Sequence, residues 1–228
     1  KHILKVIQSR IRRVLGNYNP LTEKEKSILA TYQAGHVMAH ILLKTENIID
    51  MVTIMPIAKT PKTESILFGE LMRHNAEPGE QEESKKTTIE YGDVFMYRND
   101  EILKLDTYKN TTNICKTLLA GHIAEEILLG STARSYKPES RQMAIKKIIF
   151  LLSKNTPLKL FPKDKQEEIK KQAFEMLKEF EQEVRQLLTD NKEPLVRLAE
   201  EIEKKKKLDR TEINEILKNY GLSCSTSA

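Results

Sequence analysis

The sequence predicts a mainly helical α+β fold, with one small sheet set beside a motif-bearing helix. From about Asn110 onward, apolar residues recur at helical spacing almost to the end of the chain. Between residues 51 and 97, short β-branched and aromatic runs alternate with Gly, Pro and polar clusters, which reads as strands. Thr22-Glu23-Lys24-Glu25 is a capping-box pattern that opens a helix just before those strands.

The elements follow in order. Ile3, Leu4, Ile7, Ile11 and Leu15 lie at helical spacing, Gly16 is a stop, and Asn17 to Pro20 is a linker. The helix that begins at Thr22 runs to about Leu43 and places positions 32, 36 and 40 on one face. Met51 to Ile57 reads as a strand, Ile66 to Met72 as a second with Gly69 marking a bulge, and Tyr91 to Tyr97 as a third. Asn75 to Thr88 is acidic and contains Pro78-Gly79, which predicts a loop. Helices are then expected over Thr112 to Leu129 with a stop at Gly130, and over Pro138 to Ser153. A long one follows from Asp164 to about Thr189, with Ile169, Ala173, Phe174, Leu177, Phe180, Val184, Leu187 and Leu188 on its apolar stripe. Pro194 to Lys206 and Thr211 to Asn219 complete the set, the last capped by Gly221.

The chain has 228 residues, 39% hydrophobic and 31% charged, enough to bury a core in one or two domains. No apolar run reaches the length of a membrane span, and the N-terminus lacks the apolar core of a signal peptide. The chain does not open with Met and is read as a fragment or a processed product. The net charge of +5 is spread over interspersed Lys and Glu, with no basic face interleaved with aromatics, so nucleic acid is not an expected partner. Lys204 to Lys207 reads as the solvated end of a helix. Cys115 and Cys224 form no metal spacing and are expected as reduced thiols in a cytosol-like compartment.

The chemistry centres on Tyr32-Gln33-Ala34-Gly35-His36. A zinc peptidase would carry His-Glu-x-x-His on such a helix, two imidazoles one turn apart holding the metal and the Glu activating water. Here only His36 survives, with Tyr32 in the first ligand position and Gln33 in the position of the base.

Four stretches in order carry a resemblance to a known family: Thr22 to His40, the run Val52-Thr53-Ile54-Met55-Pro56, Leu118 to Gly130 with its Ala124-Glu125-Glu126, and Leu187 to Leu217 with Leu208-Asp209-Arg210-Thr211-Glu212-Ile213. Together they resemble the peptidase domain of the FtsH-type, ATP-dependent zinc metalloproteases, over most of residues 17 to 222. The resemblance implies an FtsH-like peptidase fold over 17–222, a remnant of an ATPase lid over 1–16, and a tail over 223–228. It implies protein substrates or paralogues as partners, a hexameric homo- or hetero-oligomer, a role in protein quality control, and membrane association of a full-length protein. It puts the third metal ligand at Glu139, counted on without gaps from Gly130. The strand Ile66, Leu67, Phe68, Gly69 and Glu70 becomes the edge to which a substrate segment would add.

The departures from the family pattern decide the expected activity. A phenol with a pKa near 10 is a poor zinc ligand, which leaves His36 and Glu139 where a catalytic centre needs three ligands. Gln33 cannot accept a proton. The acidic loop near Glu77 to Lys86 is longer than in the family and the stretch from Ser153 to Asp164 shorter, which favours natural divergence over an engineered Glu-to-Gln change. The chain holds no Gly-x-x-x-x-Gly-Lys-Ser/Thr loop, so ATP enters only through a preceding module. The leading expectation is a pseudoprotease acting as a scaffold or regulatory subunit, its site packed by Tyr32 and free of metal. The alternatives are an active peptidase with a rearranged zinc set of His36, Glu139 and His40, and a helical interaction module unrelated to proteolysis. His40 is expected as a partly buried or surface residue on the back turn, and Glu125 and Glu126 point apart, one anchoring the helix and one facing solvent.

Overall fold

The computed structural model describes residues 21–59, 88–98, 107–132 and 139–224. The expected helix over 3–15, the strand Ile66 to Met72 with Ile66, Leu67, Phe68, Gly69 and Glu70, and the acidic loop lie outside them. Within them the fold is mainly helical with one small antiparallel sheet.

Helix α1 spans Glu23–Leu42. Thr22 caps it, its side chain accepting from the Glu25 backbone while the Glu25 carboxylate takes the Thr22 N–H at 2.7 Å, the reciprocal box expected from the sequence. From Leu29 to Ile41 every residue of α1 is buried except His36, which is half-buried. A helix covered on nearly all sides sits at the centre of the molecule rather than on its surface.

Two long strands pack on it. β1 (Asn47–Lys59) and β2 (Thr88–Arg98) pair antiparallel, with Val52 opposite Val94 and both buried. β1 carries an extra residue at two places, between Ile49 and Met51 and between Thr53 and Pro56. The second bulge accommodates Pro56, which cannot donate to a ladder, and lies opposite Gly92, whose φ of 71° suits a residue without a side chain. Both strands run several residues past the expected bounds, because a paired partner extends a strand beyond its β-prone core.

The rest is helical: α2 (Tyr108–Leu129), α3 (Glu139–Leu152), α4 (Lys163–Asp190), α5 (Lys192–Lys205) and α6 (Arg210–Lys218). Thr107 caps α2 one turn before the expected start, and Gly130 ends it in the left-handed conformation, as expected. On α4 the buried stripe is Ile169, Ala173, Leu177, Phe180, Val184 and Leu188. Phe174 does not belong to it and is 51% exposed; one residue from Ala173 is a turn of 100°, which carries it off the seam.

A third strand, β3 (Lys207–Asp209), joins the other edge of β1, so the order is β2-β1-β3. Lys204 to Lys206 form the exposed end and cap of α5, as expected, while Lys207, also exposed, departs from that reading by opening a strand. Lys206 makes the transition in the left-handed region at φ 64°, and its carbonyl accepts from the Ile54 N–H at 2.9 Å and from Thr53 Oγ1 at 3.0 Å. Its own side chain is exposed. Removing the Cβ relieves the left-handed strain, partly offset by the extra freedom of Gly in the unfolded chain. Lys206→Gly is therefore expected to stabilise the fold by about 0.5–1 kcal/mol, read as a higher urea midpoint at unchanged slope. A lower midpoint would count against the argument.

Candidate functional site

The site lies where α1 crosses α2, and small residues set the crossing distance. A Cβ on Gly35 would sit 2.6 Å from the Ala120 carbonyl oxygen and 2.6 Å from the Ala124 Cβ. A Cβ on Gly121 would sit 2.5 Å from the Tyr32 ring and 2.7 Å from His36 Nε2. The two helices meet through matching tripeptides, Ala34-Gly35-His36 and Ala120-Gly121-His122, each glycine receiving the other helix.

Tyr32 fills the centre of this crossing. Its ring is fully buried, and its hydroxyl shares a 3.0 Å hydrogen bond with Ser140 Oγ on α3. Burial drives the phenol pKa well above its ordinary value, the Ser140 bond opposes the rise, and the negative charges of Glu125, Glu139 and Asp93 add to it. The phenolate that could bind a metal is thus further from reach than in a free tyrosine. His36 and His122 both present themselves edge-on to the Tyr32 ring, at centroid distances of 4.6 and 5.1 Å.

Each imidazole has its Nδ1 turned to an acceptor. His36 Nδ1–H donates to the Thr117 carbonyl at 2.8 Å, the backbone-carbonyl bond expected of a satisfied histidine. His122 Nδ1 lies 3.8 Å from the Glu125 carboxylate, one turn along α2. Glu125 is fully buried while Glu126 is exposed and ion-paired with Arg185, so the two carboxylates do point apart.

The expected ligand set does not converge. Glu139 opens α3 on an exposed position, and its neighbour Ser140 turns inward to Tyr32 instead. The Glu139 charge still acts on the Tyr32 phenol from there. Gln33 is buried, 1% exposed, and its amide supplies no base. His40 corrects its expectation: it is 6% exposed, and its Nδ1 shares a 2.7 Å bond with Thr45 Oγ1 at the turn into β1. Burial lowers its pKa to about 4. His40 is held by this turn rather than turned toward a shared metal. Among the described residues no group of three or more His, Cys, Asp and Glu is placed to hold a metal ion. The donor chemistry of Tyr32, Gln33 and Ser140 does not fit a three-ligand zinc centre.

Sequence reasoning missed Gly121, His122 and Ser140. The repeated Ala-Gly-His was a readable signal for the first two; nothing local marks Ser140. Both thiols are buried, Cys115 pushed up to about 12 and Cys224 up to about 11 by burial, which makes them poor nucleophiles. No helix among the described residues is long and apolar enough to cross a membrane. No known family model matches the chain, and no curated protein matches it.

Proposed function

We propose that this chain is a non-proteolytic domain of FtsH-like architecture, which binds protein segments or paralogous subunits without cutting them. The observation that carries the reading is Tyr32, buried at the first ligand position with its hydroxyl tied to Ser140, next to a buried Gln33 in place of the base. Loss of both metal and general base removes both means of activating a water molecule. Further support comes from the motif helix lying against a small sheet and against the helix that bears Glu125 and Glu126. In this reading the domain serves as a scaffold or regulatory subunit of a ring whose ATPase is supplied by a preceding module or by neighbouring subunits.

The test is degradation of unfolded casein by the purified protein with added zinc. The expected result is no cleavage above a buffer control. Cleavage that zinc supports and a chelator stops would overturn the proposal in favour of a rearranged metallopeptidase using His36.

A further inference from the structure

We propose that the end of the α3–α4 hairpin is a docking surface for an anionic lipid bilayer, with Leu160 set into the interface and Lys154, Lys159 and Lys163 seated among the headgroups. The proposal rests on this surface alone and does not depend on the proposed function. The contact is peripheral, since no helix among the described residues is long and apolar enough to cross a membrane.

Three observations carry it. The first is charge. From Arg141 to Lys165 the chain holds seven cations and a single carboxylate, Asp164, and these by themselves outweigh its net charge of +5. The even mixing of Lys and Glu breaks down here, whereas Lys26, Lys170 and Lys205 are each paired with a glutamate. Lys154, Lys159 and Lys163 are exposed, and all lie between the end of α3 and the first residue of α4. The second is an apolar tip among them. Leu160 is 68% exposed, more than any other large hydrophobic side chain described. Leu158 and Phe161, next to it in the chain, are only half-buried and are not packed on the central core. The third is a fixed backbone. Lys154 and Asn155 take the left-handed conformation at φ 50° and 62°, and the Asn155 N–H donates to the Phe150 carbonyl at 2.9 Å. Leu158–Leu160 is a 3-10 turn in which the Leu160 N–H donates to the Pro157 carbonyl at 3.0 Å. Gln166 of α4 then ties the Phe161 carbonyl through Nε2 at 2.8 Å. The connection thus holds Leu160 outward instead of letting it fold back onto the helices. A protein partner would need a pocket shaped to this tip. A bilayer boundary accepts any apolar side chain, and it is negative where its lipids are anionic. The lysine stems can lie along that boundary with their ammonium groups at the phosphates.

The test is co-sedimentation of the full chain with phosphatidylcholine vesicles, with and without phosphatidylserine, at low and high salt. The expected result is binding to the phosphatidylserine vesicles at low salt, lost on phosphatidylcholine alone and at high salt. Lys154→Ser with Lys159→Ser is expected to weaken the partitioning ~25-fold, about fivefold for each cation near an anionic surface. Leu160→Ser, with every lysine in place, is expected to weaken it at least ~5-fold. Lys204→Ser with Lys207→Ser removes as much charge from another exposed segment and is expected to change it far less. All these positions are exposed, and an unaltered helical circular dichroism spectrum checks that each variant is folded. The proposal is overturned by absence of binding to the phosphatidylserine vesicles, by equal binding to the neutral ones, or by binding that survives both hairpin variants. Binding to polyglutamate without binding to vesicles would also overturn it, in favour of an acidic protein surface.

Discussion

Gly35→Ala is expected to destabilise the fold by about 2 kcal/mol or more, although alanine is the better helix former. Intrinsic propensity favours the substitution by about 1 kcal/mol in an exposed helix. Here the new methyl would stand 2.6 Å from the Ala120 carbonyl oxygen and 2.6 Å from the Ala124 Cβ. One obstacle is backbone and the other is fixed to it, so neither can rotate away, and overpacking of this kind costs roughly 1–3 kcal/mol and sometimes more. The strain also spreads, because pushing α2 outward opens the contact between Gly121 and Tyr32. A urea titration reads the result as a lower midpoint. A midpoint equal to or above the parent's would show that the crossing yields and that propensity wins.

The second large effect is a loss of stability in mild acid that traces to His40. In the fold this imidazole is buried with a pKa of about 4, while the unfolded chain titrates near 6.5. Between those values the unfolded state binds more protons, so stability rises with pH. The contribution is complete above the unfolded value and disappears as the pH falls toward the folded one. A gap of that size corresponds to about 3 kcal/mol at most. Urea midpoints taken from neutral pH down to about pH 4 in the parent and in His40→Gln should converge as His40 charges, leaving the variant with a flatter profile. Parallel profiles would assign the acid sensitivity to other groups.

The two variants probe what was and was not legible in the chain. The helices were readable because their apolar stripes repeat over many turns, and α1 because its capping box is local. Phe174 was misplaced because a stripe read one residue wide on a long helix cannot distinguish adjacent positions. β3 was invisible: Lys207, Leu208 and Asp209 form a strand only because β1 offers them a partner, and a three-residue run has no periodicity of its own. At the site, that Tyr32 offers no imidazole and Gln33 no base followed from residue identity alone. That Ser140 rather than Glu139 turns inward, that His122 meets Tyr32, and that His40 is sealed from solvent are facts of tertiary packing, and no spacing rule contains them.

β3 has a consequence for the making of the protein. Thr53 hands a hydrogen bond to the Lys206 carbonyl across 153 positions of chain. A ribosome adds roughly 5–20 residues per second. For roughly 8 to 30 seconds of each synthesis, then, β1 waits with one edge bare, a row of amides and carbonyls that any other extended segment could join. The nascent chain is most exposed to wrong pairing in that interval, and the last helices to emerge close it. The pairing of this short strand with β1 is thus a contact whose timing the cell has reason to guard.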